Sequence, residues 1–321
     1  DPMLLAQTIE RLQPTFGGIN LEDIKAPDCF IVEEYLREKM SIPVFHDDQH
    51  GTAIVVAAAM TSALHLASKS LDQVRVVVSG AGAAALACLN LLVSMGLDKQ
   101  NIIVTDIDGV VYQGREQGMD PYKQRYAVDT PHRTLAEAIV DADIFLGLSA
   151  GNVLKPEMLE TMADHPIVFA LANPDPEIDP NVAHKVRKDL IIATGRSDFP
   201  NQVNNVLCFP FLFRGALDVG ASEINEAMKI ACVQAISDLA RAGTTSDIVS
   251  SAYAGETLHF GPEYLIPKPF DPRLIIEVAS AVAQAAIDSG VATRPLDDIQ
   301  AYRERLTNYV YRSSMVMKPV F

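Results

Sequence analysis

The stretch Val74-Arg75-Val76-Val77-Val78-Ser79-Gly80-Ala81-Gly82-Ala83-Ala84-Ala85 decides the fold of this chain, and an apolar segment, Leu86 to Met95, follows it. The β-branched first half predicts a parallel strand that is buried on both faces. The second half has the pattern Gly-x-Gly-x-x-Ala, which binds a dinucleotide when it lies between a strand and a helix. Gly80 permits the tight turn, and Gly82 lets the backbone approach a pyrophosphate at the helix N-terminus. The predicted cofactor-binding residues of this turn are Gly80, Ala81, Gly82, Ala83 and Ala84.

The next predicted strand, Asn101 to Thr105, ends in Asp106. An acidic residue about 20 residues beyond the glycines is where a dinucleotide fold normally holds a ribose hydroxyl. A glycine turn with a purely structural role is the weaker alternative, because the strand, the helix and the acidic residue all stand where the dinucleotide pattern requires them. We therefore add Asp106 to the predicted cofactor site.

Strands and short helices alternate beyond this point. Strands are predicted at 144–148, 167–171 and 190–193, and helices at 135–141, 156–162 and 181–188. This alternation predicts an α/β fold with a doubly wound parallel sheet, a Rossmann-like NAD(P)-binding domain. We place that domain at residues 51–221. A partial metal- and substrate-binding domain at 1–50 precedes it, and a helical C-terminal segment at 222–321 follows it.

Ligands of such sheets lie at the carboxyl ends of the strands. Three loops leave those ends, at 149–152, 172–176 and 195–205, and each holds small or amide residues suited to hydrogen bonding. The predicted cofactor contacts in these loops are Ser149 and Gly151. For any single asparagine, a role in the turn itself is the alternative, because asparagine favours turns.

Two pairs of adjacent carboxylates, Glu22-Asp23 and Asp47-Asp48, each follow a short apolar run that predicts a strand. Strand ends present side chains into a crevice, and a hard divalent cation prefers several carboxylate oxygens. Two solvated acidic turns are the alternative for either pair alone. The presence of both pairs at strand-to-turn junctions favours a metal site.

The segments Gly17-Gly18-Ile19-Asn20-Leu21-Glu22-Asp23-Ile24-Lys25-Ala26-Pro27 and His46-Asp47-Asp48-Gln49-His50-Gly51-Thr52-Ala53 resemble the metal-binding signatures of bacterial malic enzymes. The resemblance extends through the whole chain. It is closest to the malic-enzyme part of the large hybrid type, which carries a phosphotransacetylase-like domain behind it. A metal-dependent hydrolase could use the same carboxylates, but it would leave the dinucleotide pattern unexplained.

The resemblance implies oxidative decarboxylation of L-malate to pyruvate and CO2, with reduction of NADP or NAD and with Mg2+ or Mn2+ as the metal. The implied metal ligands are Glu22, Asp23 and Asp48. The resemblance also implies that Asp47 orients a catalytic lysine. Asn173 and Asn205 match positions that reach the nicotinamide end of the cofactor and the malate in malic enzymes. A homo-oligomer is implied as well.

The choice between NADP and NAD depends on Asp106 and its surroundings. An acidic residue at this position repels a 2′-phosphate and argues for NAD. The hybrid relatives mostly favour NADP, and a nearby cation, for which Arg115 is the nearest candidate, could offset one carboxylate. We therefore expect NADP, with NAD possible.

Malic enzymes use a lysine as general base and a tyrosine as general acid, both in a segment ahead of the Gly17 to Ile24 motif. The chain has 21 residues before Glu22 and contains neither of these motifs. We therefore expect the N-terminal catalytic segment to be missing, so that this chain alone binds cofactor and metal without decarboxylating malate. The alternative to a complete enzyme is thus a catalytically incomplete nucleotide- and metal-binding fragment. The apolar tail, Met315 to Phe321, suits continuation into a phosphotransacetylase-like domain.

The 321 residues carry a net charge of −15 and are 49% hydrophobic, which favours a globular protein of two domains. No run of Lys and Arg is present, so we expect neither a nucleic-acid partner nor an acidic membrane surface. The longest apolar run, Ala53 to Met60, is shorter than the roughly 18 residues of a membrane span. An anionic substrate would need local cations, either a metal or side chains such as Arg196 and Arg214.

The four cysteines, Cys29, Cys88, Cys208 and Cys232, lie in apolar patterns and form no Cys-x-x-Cys pair. Buried, reduced thiols are the expected state of such residues. Free thiols suit a reducing compartment, so we expect a cytoplasmic protein.

Overall fold

The computed structural model describes residues 1–242 and 258–317, and the surroundings of side chains as far as residue 310. The chain divides into two compact units. The first unit comprises residues 1–55, 205–259 and 267–321, and the second comprises residues 56–204 and 260–266. The sequence-based domain boundaries at 50/51 and 221/222 stay predictions. Residues 318–321 of the apolar tail lie outside the described residues, as do residues 243–257.

Short strands and longer helices alternate through the described residues. The strands are β1 Ile19–Leu21, β2 Val44–His46, β3 Val76–Ser79, β4 Ile102–Asp106, β5 Gly109–Val110, β6 Ile144–Gly147, β7 Ile167–Ala170 and β8 Ile191–Thr194. The helices are α1 Pro2–Glu10, α2 Asp28–Lys39, α3 Thr52–Ala67, α4 Ala83–Ser94, α5 Pro121–Gln124, α6 Leu135–Ala138, α7 Pro156–Glu160, α8 Pro180–Val186, α9 Phe209–Asp218, α10 Glu226–Arg241, α11 Leu274–Asp288 and α12 Ile299–Met317.

The second unit is built on a sheet with the strand order β5-β4-β3-β6-β7-β8. Its neighbouring strands are parallel except for β5, which runs antiparallel to β4. The chain moves outward from β3 to β4 and then returns to the other side of β3 with β6. This reversal makes the carboxyl ends of β3 and β6 a switch point, which is where such sheets bind ligands. The predicted α/β fold class with a parallel sheet is confirmed.

Four of the parallel strands are buried along their whole length. Every residue of β3, β6, β7 and β8 is buried. Apolar and β-branched runs are typical of strands that are covered on both faces of a parallel sheet. The buried strands fix the positions of the loops at their carboxyl ends.

Helix α3 is apolar on nearly all sides, and most of it is buried. Together with the π-helical turn Asp47–Gly51 it forms one helical stretch, Asp47–Ala67, that could cross a membrane by length and composition alone. The uninterrupted apolar run in the sequence is shorter than this stretch, because polar residues flank it. Since most of the apolar part is buried inside the protein, it favours a core helix.

Asn201 closes the outer edge of the sheet beside β8. Its side-chain nitrogen donates hydrogen bonds to the carbonyl oxygens of Ile192, at 3.0 Å, and Pro262, at 2.6 Å. Its side-chain oxygen accepts a hydrogen bond from the backbone nitrogen of Leu265 at 2.8 Å. Asn201 is buried with a φ of 58°, a left-handed conformation that asparagine tolerates better than most residues. These bonds attach residues 260–266 to the sheet.

The first unit contains a second sheet, in which β1 and β2 are parallel. Its register pairs Leu21 with His46, the last residue of each strand. Helices α1 and α2 pack together around a small apolar core that includes Ala6, Val32 and Leu36. Since the two strands end side by side, the residues that follow them leave the sheet from the same edge.

Helix α11 packs against α9, α10 and α12 in the C-terminal part of the first unit. Gly215 allows α9 to approach α11 closely, because a Cβ at this position would lie 2.5 Å from the carbonyl oxygen of Ala279. The predicted C-terminal helices are thus present in the described part of the chain. All four cysteines are free and buried, which confirms the expected state of the thiols.

Candidate active site

The glycine turn lies between β3 and α4, as the sequence predicts. Gly80 has a φ of 109°, and a Cβ there would lie 2.4 Å from the carbonyl oxygen of Leu148. Only glycine fits this position without strain, because its backbone conformation is left-handed and the neighbouring strand approaches closely. The turn therefore brings the ends of β3 and β6 together at the switch point.

Gly82 is the N-cap residue of α4, directly before the first residue of the helix. Its backbone is extended, with φ −80° and ψ −178°, and no side chain caps the helix there. Within residues 1–242 and 258–317, no heavy atom lies within 4 Å of a Cβ built on it. Ala83 and Ala84 form the first turn of the helix. An uncapped helix N-terminus beside open space suits an anion such as a pyrophosphate.

The predicted contacts in the loops after β6 and β7 lie near this turn. The hydroxyl oxygen of Ser149 is 2.9 Å from that of Ser79, the residue before Gly80. Gly151 faces the next loop, since a Cβ on it would lie 2.8 Å from the Cβ of Asp175. The exposed Asn173 lies beside Gly195, whose ideal Cβ would be 3.3 Å from the asparagine side-chain nitrogen. The second unit thus brings loops from β3, β6, β7 and β8 to one edge of its sheet.

Asp106 is engaged by two cations. Arg115 donates to both carboxylate oxygens, at 2.7 and 2.8 Å, and the Lys123 ammonium donates to one of them at 2.8 Å. Its side chain is only 9% exposed. Burial alone would raise the pKa of Asp106, but the hydrogen bonds from Lys123 and Arg115 outweigh that effect and lower it. The negative charge that argues for NAD is therefore compensated.

Sequence reasoning identified Arg115 as a candidate to offset Asp106 but assigned no role to Lys123. Lys123 stands 17 residues beyond Asp106, after an irregular segment, so no local pattern links the two. Arg196 and Arg214, named as cations for an anionic substrate, are both ion-paired, with Asp198 and Asp218 respectively. Neither arginine offers an uncompensated charge.

The two carboxylate pairs of the first unit meet because β1 and β2 end side by side. The backbone nitrogen of Asp23 donates to a carboxylate oxygen of Asp48 at 2.7 Å. A carboxylate oxygen of Glu22 accepts a hydrogen bond from the side chain of Asn20 at 2.9 Å. The parallel pairing thus converts two separate acidic turns into one carboxylate cluster.

Asp47 is the buried carboxylate next to Glu22 and Asp48. Burial, followed by the negative charges of Glu22 and Asp48, raises the pKa of Asp47 to about 7. One of its carboxylate oxygens is buried and accepts no hydrogen bond within the described residues. The other accepts a hydrogen bond from the side chain of Asn205 at 2.6 Å, which brings together two predicted site residues.

The donor set fits a hard divalent cation in its chemistry. The cluster supplies several carboxylate oxygens and one buried, unsatisfied acceptor, which a cation would satisfy. Across residues 1–242 and 258–310, no three His, Cys, Asp or Glu side chains are arranged as a complete metal site. The assignment of Glu22, Asp23 and Asp48 as metal ligands therefore stays a prediction: Asp23 contacts Asp48 only through its backbone nitrogen in the contacts described above.

The turn that carries Asp47 and Asp48 is braced by Glu33, a residue that sequence reasoning missed. Glu33 lies on α2, is 6% exposed and accepts hydrogen bonds from Gln49, at 3.1 Å, and His50, at 2.6 Å. Burial would raise the pKa of Glu33, but the hydrogen bond and charge of His50 outweigh it and lower the pKa. The side chain stands on the inner face of an amphipathic helix, where an apolar residue would be expected.

The strand order, the switch point and the glycine turn define a dinucleotide-binding domain of the Rossmann type. A protein-family model described as "Malic enzyme, NAD binding domain" matches residues 49–250. The chain is 62% identical over 317 residues to the NAD-dependent malic enzyme of Rhizobium meliloti (strain 1021), covering 99% of this chain and 41% of that protein. It is 60% identical over 322 residues to the NADP-dependent malic enzyme of Salmonella typhimurium (strain LT2), covering 100% of this chain and 42% of that protein.

A solved structure gives the same result. The crystal structure of Entamoeba histolytica malic enzyme matches with a TM-score of 0.86 and 35% identity, covering 100% of this chain and 65% of that one. The chain therefore belongs to the malic enzyme family and carries its NAD-binding domain, which confirms the family resemblance. It spans 41% and 42% of the lengths of the two curated relatives.

Proposed function

We propose that this chain supplies the metal-binding and NAD(P)-binding parts of a malic enzyme, which converts L-malate and NADP, or NAD, to pyruvate, CO2 and reduced cofactor. One observation carries the proposal: the same chain contains both a carboxylate cluster at the ends of β1 and β2 and a dinucleotide turn at the end of β3. A metal-dependent hydrolase needs only the first feature. Oxidation by a nicotinamide cofactor needs the second.

In this proposal Glu22, Asp23 and Asp48 hold Mg2+ or Mn2+. A divalent cation bound there would supply Lewis-acid polarisation of the malate C2 oxygen. Asn205 holds one oxygen of Asp47 by a hydrogen bond, at 2.6 Å. This bond fixes the orientation of the Asp47 carboxylate, whose role in the resemblance is to orient a lysine. Asn173, at the carboxyl end of β7, is proposed to contact the nicotinamide end of the cofactor.

The proposed cofactor is NADP, because Asp106 is compensated. Arg115 and Lys123 together carry two positive charges against one carboxylate. A 2′-phosphate next to this group would meet a compensated carboxylate rather than an isolated negative charge. The neighbouring Asp108 accepts a weaker contact from Arg115, at 3.4 Å, and leaves the balance close to neutral.

Lys123→Ala should shift the preference from NADP+ towards NAD+. Removal of the ammonium leaves Asp106 with Arg115 alone, so the site becomes more negative and repels a 2′-phosphate. We expect the ratio of the NAD+ to the NADP+ dissociation constant to fall about tenfold, the loss of one charge-assisted hydrogen bond. Titration of both cofactors by fluorescence measures it. Lys185→Ala, at an exposed position on α8, is the matched control; equal ratios in both variants would contradict the assignment.

The test of the function is a binding and turnover experiment on the 321-residue chain. The chain is expected to bind NADP+ and Mn2+, and malate-dependent cofactor reduction with Mn2+ is then measured. Turnover supports a complete enzyme, whereas binding without turnover supports the catalytically incomplete fragment. If the chain fails to bind NADP+, or fails to bind Mn2+, the proposal is refuted both for a complete enzyme and for a catalytically incomplete fragment. Cytoplasmic location, homo-oligomerisation and a following phosphotransacetylase-like domain stay predictions.

A further inference from the structure

Glu177 is a buried acid at the carboxyl edge of the sheet that neither the sequence nor the proposed function explains. It follows the loop Ala172-Asn173-Pro174-Asp175-Pro176 after β7 and is 0% exposed. Burying a carboxylate costs free energy unless hydrogen bonds compensate it. Glu177 takes part in no ion pair within the second unit as described. Its compensation must therefore come from hydrogen bonds.

Those hydrogen bonds come from two different loops. One oxygen accepts from the backbone nitrogen of Ser149, at 2.9 Å, and from its hydroxyl, at 3.2 Å. The other oxygen accepts from the backbone nitrogen of Ala172, at 3.0 Å. Ser149 follows β6 and Ala172 follows β7, so a single carboxylate ties together the loops after these neighbouring strands. All three groups donate and so stabilise the ionised form, but burial outweighs these hydrogen bonds and raises the pKa of Glu177.

The main chain around Glu177 reinforces this connection. The backbone nitrogens of Asn152 and Leu154 donate to the carbonyl oxygens of Pro176, at 2.9 Å, and Glu177, at 3.0 Å. The sequence leaves space for the acid at Gly147, because a Cβ there would lie 2.4 Å from the Glu177 carboxyl carbon. Glycine in a strand often marks a position that another group approaches closely.

The loops that Glu177 connects belong to one half of the cofactor crevice. The pyrophosphate is expected at Gly82 and the adenosine half beside β4, where Asp106, Arg115 and Lys123 lie. The nicotinamide half must then extend the other way across the switch point, towards the ends of β6 and β7. Ser149 and Asn173 are the predicted contacts there. Asn173 directly follows Ala172, whose backbone nitrogen Glu177 holds.

We propose that Glu177 is a positioning residue for the nicotinamide half of the cofactor, acting through Ser149 and Ala172. The inference rests on the proposed function in that it assumes a nicotinamide dinucleotide in the crevice of the second unit. A purely structural tie between two loops is the alternative. The two hypotheses predict different effects of a Glu177 variant on affinity. A positioning role weakens binding of the nicotinamide half alone, whereas a structural role weakens binding of both halves or of neither.

Glu177→Gln is the test variant, because it keeps the size of the side chain. An amide presents one oxygen and one NH2 group, so its NH2 must face the N–H of Ser149 or of Ala172, and one loop is released. We expect the dissociation constant for NADP+ to rise about tenfold, whereas that for 2′,5′-ADP, which lacks the nicotinamide half, stays within about twofold. Glu177→Asp keeps the charge, but its shorter side chain reaches less far. Its NADP+ affinity should lie between that of the wild type and that of Glu177→Gln.

Asp143→Asn is the matched control. Asp143 also joins two segments of the second unit, through Lys69 at 2.7 Å and the backbone nitrogen of Arg75 at 2.9 Å. It precedes β6 and thus lies at the amino edge of the sheet, away from the crevice. The Asp143→Asn protein should have a lower melting temperature than the wild type but the same affinity for NADP+ and for 2′,5′-ADP.

The outcomes separate the two hypotheses. If the wild-type chain does not bind NADP+, the proposed function fails before Glu177 is tested. If it binds but Glu177→Gln binds equally well, or if the variant loses NADP+ and 2′,5′-ADP to the same extent, the positioning role is wrong. Should Glu177→Gln not fold, Glu177→Asp is judged by the same selective loss of NADP+.

Discussion

Gly82→Val should abolish tight cofactor binding while leaving the protein folded. The extended backbone at Gly82 is one that any residue adopts, and a Cβ would meet no heavy atom of the described residues within 4 Å. The new side chain would instead occupy the open space at the N-terminus of α4, where the pyrophosphate is expected. Losing two charge-assisted hydrogen bonds, at roughly 1.5–3 kcal/mol each, predicts at least a ~100-fold weaker dissociation constant for NADP+.

Isothermal titration with NADP+ measures the loss of cofactor affinity, and thermal melting measures whether the variant stays folded. Valine is a poor residue to begin a helix, so a small fall in melting temperature, corresponding to about 1 kcal/mol or less, is expected. Gly80→Ala is the comparison, because its Cβ would clash with Leu148 and its φ of 109° disfavours alanine. That variant should lose stability as well as affinity. A Gly82→Val protein that binds NADP+ like the wild type would place the pyrophosphate elsewhere.

The parts of this site that follow from sequence are those encoded in short stretches. The glycine turn is read from residues 79–85 because a strand, a tight turn and a helix N-terminus must be contiguous in the chain. The carboxylate cluster can be predicted only in part from local sequence. Each acidic pair is visible after its own apolar run, but their meeting depends on the parallel register of Leu21 with His46.

The parts that sequence reasoning missed are held by contacts between distant residues. Lys123 reaches Asp106 across an irregular segment of 17 residues, and Glu33 reaches His50 from the preceding helix across a similar separation. Glu177 connects to Ser149 across 28 residues. Hydrophobic periodicity does not identify such positions, because a charged residue breaks the apolar pattern in the same way whether its side chain is buried or exposed. The hydrogen bonds of Asn201, which add residues 260–266 to the sheet, are equally non-local.

Asp48→Asn should remove metal binding by the carboxylate cluster without harming the fold. The amide oxygen of asparagine can still accept the hydrogen bond that Asp23 donates at 2.7 Å, so the turn keeps its geometry. The change is one of charge, and charge count sets the affinity of a hard-cation site. Since changes to groups that only support metal ligands typically cost about 10–100-fold in affinity, loss of a ligand carboxylate should cost at least ~100-fold.

Mn2+ titration followed by electron paramagnetic resonance measures this loss directly, without any need for turnover. Asp48 is one of the charges that disfavour the ionised form of Asp47, so the metal-free variant should be no less stable than the wild type, and melting curves check this. Glu38→Gln is the matched control, because it removes one negative charge from an exposed position on α2 in the same unit. It should leave Mn2+ affinity within about twofold, the size of a screened surface effect. Equal Mn2+ affinities for Asp48→Asn and Glu38→Gln would mean that the carboxylates at the ends of β1 and β2 are a solvated acidic turn, and the metal-dependent chemistry would then need another site.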